Sequence, residues 1–487
     1  MANVELLPLM VVLPLAVAVV SNLFHGRNRL LALTAMTATL LFMVLPLLMP
    51  YGMHTFGGHV REAQKTELAL GVIYVFQHHH RIIVFILALI AHLVVSSYAG
   101  AYRKLSGPYL GFMMMGVAAS TAVLLADDFF NFYVFLEVAL ISQAAMAIAS
   151  GTEQAYKAVV KYLIVANVAG NCLLLAVAFL FSLAGSLNIS DMQSFISANG
   201  PALAYNPVFL ASCALTIFAW TYASGVFPFH NIKSELYASA RPHASGLMQT
   251  MTKFIMVALA IVLLKLFADV GSLRMVMLYA SLGAMVFGVI MALKQDNYQR
   301  MLSYHAISQA GYVASGLSIG TPVAIIAGIF HAVNHVLYKT ALFLGCECVE
   351  YRAGTTDFKG VSGLIHSLPL IGFLVLCAKF AISGIPPFNG FQSKLMLMTA
   401  AFDAGMPEVT LVMILVSVLT FISMMKAFHL VYMRHPTQDT REPREIPKSY
   451  VVALIILVGL CVLLGVYPQL ATRYIEPIAY GIGFNWR

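Results

Sequence analysis

The sequence predicts an all-α integral membrane protein, and three observations carry that expectation. Of the 487 residues, 60% are hydrophobic and only 10% charged, where an average soluble domain is about 25% charged. Apolar runs long enough to cross a bilayer recur along the whole chain. Two of these runs are interrupted by nearly the same phrase, "ASGVFPFHN" at 223–231 and "AISGIPPFNG" at 381–390.

Fourteen spans are expected, at about 4–23, 29–49, 82–99, 108–126, 129–149, 156–184, 206–228, 243–268, 272–292, 302–319, 322–348, 364–404 (broken), 408–432 and 449–468. The first run ends in a signal-like "AVAVVSN". However, Glu5 precedes it and Arg27 and Arg29 follow, a charge order that suits a retained span with its N-terminus outside. The six cysteines lie mostly within or at the ends of spans, and Cys346 and Cys348 are the only close pair. They are expected to be structural. No iron–sulfur, haem or nucleotide motif is present, so no cofactor, metal site or catalytic residue is expected.

Charge sets the orientation. Of 28 Lys and Arg, sixteen fall in odd-numbered connections: Arg27, Arg29, Arg103, Lys104, Lys157, Lys161, Lys233, Arg241, Lys294, Arg300, Arg352, Lys359, Arg434, Arg441, Arg444 and Lys448. Six fall in even connections or the C-terminal tail: Arg61, Lys65, Arg81, Arg274, Arg473 and Arg487. The positive-inside rule makes the odd side cytoplasmic and places both termini outside.

The remaining six are lysines within spans: Lys253, Lys265, Lys339, Lys379, Lys394 and Lys426. Among the acids, only Glu137 is expected deep in a span. Arginine is absent from this set. It stays charged, whereas a buried lysine can release its proton. A charge at the bilayer centre costs about 2.5–3.5 kcal/mol on insertion scales, so such residues point to function. Snorkelling to the headgroups accounts for Lys426, and competes with a functional role for Lys265.

The repeated phrase breaks helical hydrogen bonding through its proline and glycine. Unwound backbone at membrane depth is tolerated only under protein cover or against a wet cavity. The breaks fall in spans seven and twelve, which run in opposite senses. Spans 4–8 and 9–13 are therefore expected to form two inverted five-helix repeats meeting near the midplane. The corresponding regions are N-terminal helices at 1–104, a first half-channel at 105–270, an inverted second at 271–434, and a last helix with its tail at 435–487.

"FHAVNHVLYK" places His331, Asn334, His335 and Lys339 three or four residues apart, a polar stripe on one helix face. Histidine passes protons near neutral pH through its two nitrogens. A metal pair is the competing reading, but it lacks a third ligand. His78, His79, His80 and Arg81 are expected to form a solvated cluster at an outer span end.

At these residues the chain resembles the antiporter-like membrane subunits of respiratory complex I, Mrp-type Na+/H+ antiporters, and membrane-bound [NiFe]-hydrogenase and formate hydrogenlyase complexes. The similarity covers about 105–430 and rests on "DDFFNFYVFLEVALIS" (127–142), "GVFPFHN" (225–231), "KQDNYQRMLSYHAISQAGYV" (294–313), "HAVNHVLYKTALFL" (331–344) and "SGIPPFNGFQSK" (383–394). The resemblance implies a proton relay of Glu137, Lys253, His331, His335, Lys339 and Lys394. His230, Lys233, Lys265 and Lys379 are further candidates. In the family a lysine seven residues before the His230 position pairs with the fifth-span glutamate; here that position is Ala223. Lys233 could substitute from the cytoplasmic side, and Lys379 is extra relative to the pattern.

The resemblance implies a proton-translocating subunit with no catalytic chemistry of its own, within an oxidoreductase translocase of a bacterial or archaeal cell membrane. Its expected partners are sister antiporter-like subunits, small membrane subunits and a peripheral redox module. No nucleic acid is expected. A hydrogenase or formate hydrogenlyase-type parent is favoured, with NADH-quinone oxidoreductase as the other respiratory possibility. The competing functions are a subunit of an Mrp-type antiporter carrying Na+, and a non-conducting scaffold suggested by Ala223.

Overall fold

The structure is a computed structural model that describes residues 2–3, 5–23, 28–56, 72–102, 105–268, 270–435 and 445–481. Helices dominate the described residues, as the hydropathy predicts. They are α1 (Leu9–Leu23), α2 (Asn28–Leu48), α3 (His78–Ala101), α4 (Gly107–Leu125), α5 (Phe129–Ile148), α6 (Glu153–Ala184), α7 (Ile189–Leu203), α8 (Pro207–Ser224) and α9 (His230–Ser239). The chain continues through α10 (Pro242–Phe267), α11 (Gly271–Leu293), α12 (Tyr298–Ile319), α13 (Pro322–Ala353), α14 (Pro369–Ser383), α15 (Asn389–Asp403), α16 (Pro407–Phe428), α17 (Lys448–Val466) and α18 (Gln469–Gly481).

Among the described residues, 11 helices are long and apolar enough to cross a membrane. The chain is a multi-pass integral membrane protein. Both α1 and α14 are apolar but shorter. α12 has the length yet carries many polar side chains, and beyond Arg300 it is buried throughout. Hydropathy does not foresee the short helices α7, α9 and α18, nor a small sheet of β1 (Ala2–Asn3), β2 (Gly52–Phe56) and β3 (Val72–Phe76). In that sheet β1 runs parallel to β2, and β2 antiparallel to β3.

Both repeated phrases break a helix in the same way. α8 ends at Gly225 with φ 68°, and α14 at Gly384 with φ 81°. That left-handed backbone is open to glycine at no steric cost. Each stretch contains one cis bond, Phe227–Pro228 and Pro386–Pro387, before α9 or α15 resumes.

Helix starts and loop contacts also match. Asp128 caps α5 by accepting from the Asn131 amide at 2.6 Å, and Asn297 caps α12 by accepting from the Arg300 amide at 3.0 Å. Such caps satisfy amides that the helix cannot. Asp128 also bridges antiparallel to Asn188 after α6, as Asn297 bridges to Asp357 after α13. α6 packs on both halves of the first broken span and α13 on both halves of the second. Meanwhile α9 crosses over to pack on α12, and α10 packs along α13. Among the 11 candidate spans, α10 and α13 are the most enclosed.

The structure corrects three expectations. Lys233 is not in a connection: α9 continues past the break and buries it completely. Glu137 is not the only deep acid, because Glu347 on α13 is also buried. His79 and His80 are buried rather than solvated, with His80 Nδ1 accepting from the Gln77 amide at 3.0 Å. Of the charges used for orientation, Arg27, Arg61, Lys65, Arg103, Lys104, Arg441, Arg444 and Arg487 lie outside the described residues.

Candidate functional site

A helix that presents polar groups every third or fourth residue lines them along one face. On α13 this puts His331, His335 and Lys339 in one row, all fully buried. Successive members stand four residues apart, about 6 Å along the axis. His331 lies between α15, which follows the second break, and α12. Its Nδ1 meets Ser393 Oγ of α15 at 2.9 Å, and its Nε2 meets Gln309 Oε1 of α12 at 3.2 Å. Asn334 and Asn389 clasp across the second break. Asn334 Nδ2 donates to the Asn389 carbonyl at 3.1 Å, and Asn389 Nδ2 donates back to Asn334 Oδ1 at 3.0 Å.

The middle of the row differs. Neither ring nitrogen of His335 has a protein hydrogen-bond partner, and neither do the ammonium groups of Lys253 and Lys339. All three side chains are completely enclosed. The charges of Lys253 and Lys339 both bear on the His335 ring, so α10 and α13 present these groups to one another. Lys339 also lies over the Phe343 ring at 5.5 Å. Buried polar groups are nearly always hydrogen-bonded, and where protein supplies no partner, water does.

The line extends to the second break. Lys394 donates to the Ile382 carbonyl at 2.8 Å and to Ser417 Oγ at 3.1 Å, with the Tyr312 ring beneath it at 5.0 Å. Ile382 belongs to the last turn of α14, where carbonyls lack intrahelical partners and the helix dipole favours a cation. Lys379 is fully buried, donates to the Met424 carbonyl at 3.3 Å and lies over Tyr298 at 4.6 Å. Sequence patterning misses His305 of α12, which meets Ser423 Oγ at 2.8 Å and feels Lys339, Lys379 and Lys394.

The first break is arranged otherwise. Glu137 of α5 is only half-buried, although its Oε1 is enclosed and unpaired. The carboxyl packs against Gly170 of α6, where a Cβ would overlap it. No ion pair reaches it among the described residues. Lys233 stops short, donating to Tyr162 Oη at 3.3 Å and lying over the Tyr162 and Tyr222 rings at 4.8 and 5.8 Å. Those two tyrosines are also near enough to Glu137 to feel its charge. Lys233 in turn feels Lys253.

Two candidates stand apart. His230 is half-buried in a three-ring cluster with Phe227 and Phe287, at 5.5 and 5.6 Å from them. Lys265 is partly exposed in the last turn of α10, about 18 Å along that helix from Lys253 at 1.5 Å per residue. Lys426 donates to the Leu293 carbonyl at 3.0 Å from an exposed position.

Two broken helices around an enclosed file of lysines and histidines define an antiporter-like integral membrane protein. Residues 126–423 match the family described as NADH:quinone oxidoreductase/Mrp antiporter, TM, and the chain belongs to that family. It is 43% identical over 486 residues to an uncharacterized protein of Methanocaldococcus jannaschii, covering 99% of each chain. It is 29% identical over 383 residues to an Na(+)/H(+) antiporter subunit of Alkalihalophilus pseudofirmus, covering 77% of this chain and 76% of that one. Its fold is similar to a chain of the membrane-bound sulfane sulfur reductase, an archaeal respiratory membrane complex. The TM-score is 0.86 at 24% identity, over 98% of this chain and 97% of that one.

Proposed function

We propose that this chain translocates protons as the antiporter-like subunit of a multi-subunit respiratory membrane complex. One observation carries the reading: Lys253, His335 and Lys339 are fully enclosed on the facing helices α10 and α13, and their polar atoms have no protein partner. Buried polar groups without protein partners are the ones that bridging water satisfies. The file then runs through His331 and its Ser393 and Gln309 contacts towards Lys394. Glu137, Tyr162, Tyr222 and Lys233 form a second arm towards Lys253, in which tyrosine hydroxyls replace the direct ion pair lost at Ala223.

The matched breaks, caps and loop bridges support an architecture of two inverted repeats, spans 4–8 and 9–13 of fourteen. The charge count supports termini on the outer side of a bacterial or archaeal cell membrane. Driving energy comes from partner subunits, in a parent of hydrogenase, formate hydrogenlyase or NADH-quinone oxidoreductase type. A Na+ carrier of the Mrp type is less well supported. Hard cations prefer several oxygen ligands, yet Glu137 is a single carboxyl, and the Glu347 oxygens are taken by His243 and Tyr102.

The test is proton uptake by membrane vesicles carrying the assembled complex. His335→Ala should abolish uptake with assembly intact. Unchanged uptake would leave the scaffold reading, for which Ala223 is the motive. Uptake that requires Na+ would favour the Mrp-type reading.

A further inference from the structure

At one end of the α10–α13 pair lies a buried charged cluster that the proposed relay does not use. His243 opens α10 and Glu347 lies on α13, and both are enclosed. His243 Nδ1 is 2.7 Å from both Glu347 oxygens, and the His243 amide donates to Oε2 at 2.8 Å. Tyr102 Oη donates to Oε1 at 3.0 Å from a half-buried position at the end of α3. On the far side of the ring, Nε2 meets Tyr109 Oη of α4 at 3.0 Å.

The contact with Tyr109 sets this arrangement apart from a static clamp. With the carboxylate taking Nδ1–H, a neutral imidazole accepts the tyrosine proton at Nε2. If a proton is added at Nε2, the imidazolium donates to the same oxygen after a hydroxyl rotation, and no heavy atom need move. The surroundings balance the charge. Arg241 lies over the Tyr102 and Tyr109 rings at 4.9 and 5.7 Å, Tyr98 stacks on His243 at 5.2 Å, Tyr450 of α17 faces the carboxylate, and Glu350 is exposed one turn along α13.

About two helical turns inward from the pair, α10 and α13 carry a small polar cluster. Gln249 Nε2 donates to Thr250 Oγ1 at 3.2 Å and Thr340 Oγ1 at 3.4 Å, while its Oε1 is enclosed and unpaired. In sequence Thr340 follows Lys339, and Gln249 stands one turn from Lys253 along α10.

We infer that His243 and Glu347 form a proton port at the end of the α10–α13 pair predicted to face the cytoplasm. A proton binds His243 Nε2, reached past Tyr102 and Tyr109, and passes through bridging water and the Thr250 and Thr340 hydroxyls to Lys253 or Lys339 in its neutral form, which restores the neutral imidazole. The inference rests on the proton-translocating reading and adds its entry point.

Tyr109→Phe removes only the hydroxyl at Nε2 and keeps the His243–Glu347 contact, and Glu347→Gln removes the carboxylate charge. Each is tested in the assembled complex by proton uptake into vesicles across a pH series. Uptake should fall about a hundredfold or more in both, the scale of losing a positioned proton-transfer group, and the pH profile should change shape. If Tyr109→Phe keeps the parent rate and profile, the port is overturned, whether or not Glu347→Gln assembles. His335→Ala serves as the reference. Lost uptake there beside normal Tyr109→Phe sinks the port alone, whereas normal uptake in His335→Ala sinks the underlying reading.

Discussion

Replacing Lys394 separates its two roles, capping a broken helix and carrying a proton. In the structure its ammonium satisfies the Ile382 carbonyl at 2.8 Å and Ser417 Oγ at 3.1 Å. Lys394→Met removes hydrogen bonds to a charged group, a loss of about 1.5–3 kcal/mol. It also relieves a membrane-buried charge worth about 2.5–3.5 kcal/mol on insertion scales. The two nearly cancel, so thermal stability should change by no more than about 1–2 kcal/mol. Lys394→Arg keeps a cation at the α14 terminus. Arginine's reference pKa lies at least about two units above lysine's, so in the same site its neutral form is about a hundredfold rarer or more. Both variants should therefore assemble, and proton uptake should fall about a hundredfold or more in each. Uptake in membrane vesicles, with native electrophoresis for assembly and a thermal melt for stability, reads all three quantities. Parent-level uptake in Lys394→Arg would refute the claim that this lysine gives up its proton.

Two further outcomes follow from packing. Gly390→Ala would drive a Cβ into the Ala381 backbone at the second break, and overpacking of that kind costs about 1–3 kcal/mol. Gly170→Ala meets only the tip of Glu137, so a thermal melt should drop for the first and stay near the parent for the second. Lys426→Ala removes an exposed contact to the Leu293 carbonyl and should leave both proton uptake and stability within about 0.5 kcal/mol of the parent.

The membrane class and the breaks are legible in the sequence because they depend on local composition. Long apolar runs and the Gly–Pro phrases announce themselves without knowledge of the fold. The row on α13 is legible for a similar reason, since a helix converts three- and four-residue spacing into one face. Long-range pairing is not. His243 and Glu347 are 104 residues apart, and the only local signal is an acid between two cysteines in an otherwise apolar run. A loop placement for Lys233 supposes that the helix stops at the break, whereas the polar segment after it coils again as α9. Hydropathy also undervalues α12, where polar side chains such as His305 and Gln309 face other helices rather than lipid. His79 and His80 look solvated in the sequence because the sheet that covers their end of α3 comes from segments too short to register.

In the proposed mechanism Lys253, His335 and Lys339 share one hydrated file inside the protein. The most direct measurement is a high-resolution cryo-EM map of the assembled complex, examined for ordered water. Water peaks should lie within hydrogen-bonding distance of the Lys253 and Lys339 ammonium groups and of at least one His335 nitrogen, continuing towards His331 and Lys394. A dry, apolar contact around His335, or rotation of these side chains onto protein carbonyls that leaves no water between them, would contradict it.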